Sequence, residues 1–100
     1  MKLENKSTFT KNFIKINGLN ESDFHEWLLT SNMLFKAANM WWGNQNKRKS
    51  QHEGVDLGFY RNRNQKITEF NESTKISPIF DGVVVGIFND FLGKSVFIRH

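Results

Sequence analysis

Cysteine is absent from this chain of 100 residues, which removes disulfide bridges and thiolate metal sites, so any metal here must rest on histidine and carboxylate. A single proline and seven glycines leave no proline-rich or glycine-rich linker, and no repeats or low-complexity tracts occur. No apolar run approaches the roughly 18 residues of a membrane span, and Met1-Lys2-Leu3-Glu4-Asn5-Lys6 lacks the apolar centre of a signal peptide. As written, the chain is expected to be soluble. Phosphate-binding glycine patterns, a nucleophile-elbow serine and a spacing that marks a glycosidase carboxylate pair are all missing.

What is present fits one small domain or a piece of a larger one: 38% apolar residues, 24% charged residues and a net charge of +4. The basic balance favours anionic surroundings such as nucleic acid, an envelope polymer or an acidic membrane. Phe13-Ile14-Lys15-Ile16 reads as a short strand closed by the turn dipeptide Asn17-Gly18. A helix is expected next. Asn20 or Ser22 would cap it, and Phe24, Trp27 and Leu28 fall at helical spacing as a packing stripe. His25 then reads as a surface helix residue.

From about Met33 to Thr74 the chain is loop-rich. Trp41-Trp42-Gly43 leads into the basic stretch Asn44-Gln45-Asn46-Lys47-Arg48-Lys49. On extended backbone, adjacent tryptophans face opposite ways, so one would enter the core while the other lines a cleft. Arg61-Asn62-Arg63-Asn64-Gln65-Lys66 is too polar for a core element and reads as an exposed loop or hairpin tip. The C-terminal third reads as strands at Pro78-Ile79-Phe80, Val83-Val84-Val85-Gly86-Ile87-Phe88 and Ser95-Val96-Phe97-Ile98, with breakers at Asp81-Gly82 and from Asn89 to Gly93. The near-continuous apolar run implies a strand buried on both faces or in a sandwich core. The last strand has no successor, and an unpaired apolar edge invites self-association.

The sharpest chemical pattern is Gln51-His52-Glu53-Gly54-Val55-Asp56-Leu57, an imidazole and a carboxylate four residues apart. Zinc takes nitrogen ligands together with carboxylate oxygen, and a catalytic site uses three protein ligands with water in the fourth position. Three histidines and four aspartates give roughly 0.1 accidental spacings of this kind. In the bland reading Asp56 begins a strand and His52 is a polar loop residue.

From about Met33 to His100 the chain resembles the lysostaphin-type zinc endopeptidases, which cut peptide cross-bridges in bacterial cell walls. The matching elements are His52-Glu53-Gly54-Val55-Asp56-Leu57, Ser77-Pro78-Ile79-Phe80-Asp81-Gly82-Val83-Val84 and Gly93-Lys94-Ser95-Val96-Phe97-Ile98-Arg99-His100. The resemblance implies that His52 and Asp56 are zinc ligands. Gly54 is expected to let the backbone turn closely between them, and Glu53 to be solvated or to sit behind the ligands. The family completes its site with a downstream catalytic histidine and an H-x-H pair that carries the third ligand. Neither occurs in this sequence, and His100 matches a strand-ending histidine, not a ligand. The expected fold is therefore mainly β, an antiparallel sheet or sandwich forming part of a peptidase β-fold, with a short N-terminal helix. Residues 1–32 would be a lead-in carrying the helix, and residues 33–100 the N-terminal portion of a peptidase domain truncated at its C-terminus.

The resemblance implies an incomplete peptidoglycan endopeptidase, inactive by itself, with peptidoglycan or another peptide as substrate and placement in the cell envelope or outside the cell. Lys47, Arg48 and Lys49 would form a basic rim able to contact an anionic wall polymer. An alternative is a non-catalytic module of the same fold that binds a partner or activates an enzyme. A second alternative is a nucleic-acid-binding domain that uses Lys47, Arg48, Arg61 and Arg63 for phosphates and Trp41, Trp42 or Tyr60 for base stacking.

Overall fold

The computed structural model describes residues 7–90 and 93–100. It is mainly β, with two antiparallel sheets of three and two strands and one short helix. The described residues fall into two compact units, one of residues 19–74 and the other of 7–18 together with 75–100. Residues 19–32 thus group with the loop-rich middle of the chain.

Helix α1 spans Thr8–Ile16 and takes in the segment whose β-branched residues suggest a strand. The wider window explains the difference. Phe9 and Phe13, like Thr10 and Ile14, stand four apart and share a helix face, and Thr10, Phe13 and Ile14 are buried. Ser7 caps the start, its hydroxyl accepting from the Thr10 amide at 3.1 Å. The end is closed by Asn17, whose side-chain amide donates to the carbonyls of Phe13 at 2.8 Å and Lys75 at 2.9 Å while its oxygen accepts from the Lys75 amide. Gly18 follows at φ +66°, a left-handed conformation suited to a helix stop.

The helix expected from Asn20 does not form. Asn20 and Asp23 close a turn instead: the Asp23 carboxylate accepts from the Asn20 amide at 2.7 Å, and the Asp23 amide donates to the Asn20 carbonyl at 3.1 Å. Local side-chain bonding of this kind competes with helix propagation. The apolar stripe then enters strand β1 (Glu26–Trp27), which pairs with β2 (Phe59–Arg61), itself paired with β3 (Ile67–Glu69). Trp27 lies opposite Tyr60, and Tyr60 opposite Thr68. Phe24 stacks on Tyr60 at 5.3 Å, and Trp27 meets Phe24, Tyr60 and Phe70 edge-on. His25 is exposed, but on the approach to β1, not on a helix; its amide donates to the Arg61 carbonyl.

The β2–β3 connection is the hairpin tip expected from its polarity. The Asn62 side-chain oxygen accepts from the amides of Asn64 and Lys66, both at 2.9 Å, and Gln65 takes a left-handed φ of 68°.

Strands β4 (Val83–Asp90) and β5 (Gly93–Arg99) form the second sheet, a two-stranded ribbon. Register assigns its faces. Val84 pairs with Ile98 and Ile87 with Val96, which makes one face β-branched; Gly86 pairs with Phe97 and Phe88 with Ser95 on the other. A bulge between Val84 and Gly86 shifts the alternation by one residue. Phe88 and Phe97 pack edge-on at 5.2 Å, and the Phe88 ring covers Gly86, where a Cβ would collide with it. The expectation of a strand buried on both faces is not met: Val83, Val84, Val85, Ile87, Phe88, Val96 and Phe97 are all exposed. An apolar run records that a strand can be covered, not that it is. Pro78-Ile79-Phe80 is not a strand; Ile79 and Phe80 form a bend. No helix among the described residues is long and apolar enough to cross a membrane.

Candidate metal centre

The segment from Ser31 to Gly58 has almost no regular structure, yet its backbone is closely tied. A 3-10 turn at Ser31–Met33 buries Met33. The next residues form a floor for the histidine motif: the Asp56 amide donates to the Met33 carbonyl at 2.8 Å, the His52 amide to Ala37 at 3.0 Å, and the Lys36 amide to His52 at 2.7 Å. Lys36 takes a left-handed φ of 67° to make this turn. His52 and Asp56 are therefore positioned from residues 33–37, fifteen to twenty-three positions earlier in sequence.

His52 and Asp56 meet. Nε2 of His52 lies 3.1 Å from Oδ1 of Asp56, and Nδ1 faces the Leu34 carbonyl at 3.0 Å. The His52 side chain is 12% exposed and that of Asp56 35%. A carbonyl oxygen only accepts, so the Leu34 contact is a hydrogen bond in the form of the ring that carries a proton on Nδ1. Nε2 then faces a second pure acceptor. The contact is satisfied if Nε2 is protonated as well, giving an ion pair, or if a metal cation stands in place of that proton.

The donor set suits zinc. Nitrogen and oxygen ligands at about 2.0–2.2 Å in a tetrahedral site stand roughly 3.3–3.6 Å apart, so the observed 3.1 Å needs an opening of only a few tenths of an ångström. Among the described residues no group of three or more His, Cys, Asp or Glu side chains converges, so a metal here would meet at most this histidine and this carboxylate.

Two neighbours of Asp56 escape motif reading because they come from a separate loop. Asn39 and Lys47 bridge across a short turn that carries the tryptophans. Trp41 Nε1 donates to Asp56 Oδ2 at 2.7 Å, and Arg48 Nη2 lies 3.7 Å from the same oxygen. The only available signal is generic: a half-buried indole N–H needs an acceptor, but sequence does not say which. Trp41 is half-buried and Trp42 exposed, their rings perpendicular at 5.7 Å.

Arg48 does not belong to an open basic rim. Its guanidinium also donates to the carbonyls of Asn39 and Asn32, both at 3.0 Å, and lies 5.4 Å from the Trp42 ring. Lys47 and Lys49 are exposed. Of the other residues suited to nucleic acid, Arg61 is paired with Glu26 at 2.8 Å, Tyr60 is buried and Arg63 is exposed. Glu53 points to solvent. The tight backbone role expected of Gly54 is not found: its φ lies outside the left-handed region and a Cβ there meets nothing within 4 Å. His100 is distant in role from the pair; its Nδ1 faces the Asp81 carbonyl at 3.1 Å and its ring packs edge-on against Phe80.

No protein-family model, characterised protein or solved structure matches the chain.

Proposed function

We propose that this chain holds half of the metal site of a zinc-dependent endopeptidase of the peptidoglycan-hydrolase type, with His52 and Asp56 as the two ligands it contributes. One observation carries the reading: Nε2 and Oδ1 face each other at 3.1 Å while the outer atoms, Nδ1 and Oδ2, are occupied by a backbone carbonyl and an indole N–H. Ligating histidines and carboxylates are held in this way from behind. When bound, zinc supplies Lewis-acid polarisation of a peptide carbonyl and of a coordinated water. The chain's own contribution is to fix the imidazole and the carboxylate and to keep their unsaturated atoms toward one point. Peptide cross-bridges of the cell wall as substrate, and an envelope or extracellular location, rest on the motif resemblance.

Two ligands leave a zinc ion largely solvated, and with no third His, Cys, Asp or Glu converging on them among the described residues the chain is expected to hydrolyse nothing by itself. A second reading, a non-catalytic partner-binding module of the same fold, is favoured by the exposed ribbon of β4 and β5, and its apolar edge supports self-association. Zinc titration by calorimetry separates the two. The endopeptidase reading expects binding near one equivalent that His52→Ala or Asp56→Ala abolishes; no binding, or binding indifferent to both substitutions, overturns it.

A further inference from the structure

We propose, independently of the metal-site reading, that the loop from Phe35 to Lys49 binds single-stranded nucleic acid through lysine contacts to phosphates and base stacking on exposed rings. The charge of the chain is concentrated there. It has 14 Lys and Arg against 10 Asp and Glu. Four of those cations, Lys36, Lys47, Arg48 and Lys49, fall between Trp27 and His52, a stretch with no acidic residue, so the rest of the chain balances at ten of each. The whole net charge of +4 thus resides in one loop, a local field that attracts a polyanion.

The cations divide by task. Arg48 is engaged within the loop, on the Asn32 and Asn39 carbonyls and beside Asp56. Lys36, Lys47 and Lys49 are exposed, and among the described residues none of the three forms an ion pair, so each can neutralise a phosphate. Backbone bonds set their places: Asn39 bridges to Lys47, the Met40 amide donates to the Asn46 carbonyl at 2.8 Å, and the Lys36 amide to that of His52 at 2.7 Å. At the tip, Gly43 and Gln45 take left-handed φ of 61° and 55°, and the Gln45 amide donates to the Trp42 carbonyl at 3.1 Å. This turn leaves Trp42 39% exposed. Its ring is steadied by the Arg48 guanidinium at 5.4 Å and by Trp41, perpendicular at 5.7 Å. At the base, Phe35 is 59% exposed, with the Lys36 ammonium 5.7 Å from its ring. The bare rings favour nucleic acid over a phosphate chain without bases, because a base stacks on a π face whereas phosphate needs only the cations.

Anisotropy titrations of labelled oligothymidylate with the whole chain test this. Affinity should fall with salt at a log–log slope of about −2, as three phosphates on a single strand require. Replacing Lys36, Lys47 and Lys49 together by Gln should remove most of that slope. Lys15→Gln, Lys66→Gln and Lys75→Gln together, the same loss of charge at exposed positions outside the loop, should preserve it. Trp42→Ala should weaken binding about 5–150-fold, the cost of one lost base stack, and leave affinity for inorganic polyphosphate unchanged. No binding at low salt, or a slope that falls equally in both triple variants, overturns the site. Oligothymidylate affinity indifferent to Trp42→Ala overturns the nucleic-acid assignment in favour of a simple polyanion contact. If Trp42→Ala does not fold, wild-type tryptophan fluorescence decides: oligothymidylate should quench it and polyphosphate should not, and an equal response overturns the assignment.

Discussion

The loop from Met33 to Gly58 and the ribbon of β4 and β5 invert the usual relation between regular structure and order. The ribbon has continuous backbone pairing, yet seven of its large apolar residues are exposed. The loop has almost no strand pairing, yet its polar groups are spoken for: His52 by Leu34 and Asp56, Asp56 by Trp41 and Arg48, Arg48 by Asn32 and Asn39. Backbone pairing fixes a strand's neighbours but leaves its faces to whatever covers them, and a two-stranded hairpin alone is marginal in water. A loop satisfied by side chains to this extent is specified residue by residue. The candidate site lies on this loop, where the side chains of His52, Asp56 and Arg48 each have a partner.

The largest effect that tests this contrast comes from one residue type in two places. Phe24 is 1% exposed and stacked on Tyr60, whereas Phe97 in the ribbon is 56% exposed. Phe24→Ala should cost about 3–5 kcal/mol in urea unfolding, the usual range for a buried phenylalanine. Phe97→Ala should cost under ~1 kcal/mol, since mainly the edge contact with Phe88 is lost. Equal costs would mean that Phe97 is covered in solution, and the ribbon would then be an interface.

A smaller effect is expected where the ribbon is close-packed. A Cβ at Gly82 would stand 2.5 Å from the Arg99 carbonyl oxygen and 2.6 Å from Ile98 Cγ2. Backbone cannot retreat as a side chain can, so Gly82→Ala should cost about 1–3 kcal/mol. Hydrogen exchange should report it as faster exchange of the ribbon amides, with those of His52 and Asp56 unchanged. Loss of protection at both would join the two regions in one cooperative unit.

The mainly β class was legible from the β-branched and aromatic runs, and the polar tract from Arg61 to Lys66 from its lack of apolar residues. The N-terminal helix was expected, but in the wrong place. Phe13 to Ile16 is rich in aromatic and β-branched residues like a strand, while its helical spacing shows only over the longer window from Ser7 to Asn17. Phe24, Trp27 and Leu28 have helical spacing, but Asn20 and Asp23 bond to each other and end the helix before it begins. For the site, the pairing of His52 with Asp56 was legible because four residues separate them. The roles of Leu34, Trp41 and Arg48 were not, because they act across eighteen, fifteen and eight residues of loop, a separation no local periodicity encodes.

Gly54 gives the smallest expected effect and the strictest test of how the motif works. Between His52 and Asp56, the proposed ligands, a glycine invites the explanation that only it permits the required turn. Its backbone here is not left-handed and the space beside it is open. Alanine narrows the unfolded ensemble and meets no atom in the folded one, so Gly54→Ala should be neutral or stabilising by about 0.4–1 kcal/mol. On the proposed zinc site, affinity should be retained within roughly twofold, because His52 and Asp56 are set by Ala37, Met33 and Trp41, not by the residue between them. A tenfold loss of affinity at unchanged stability would return the turn to Gly54 and require the motif's backbone to move when the metal binds.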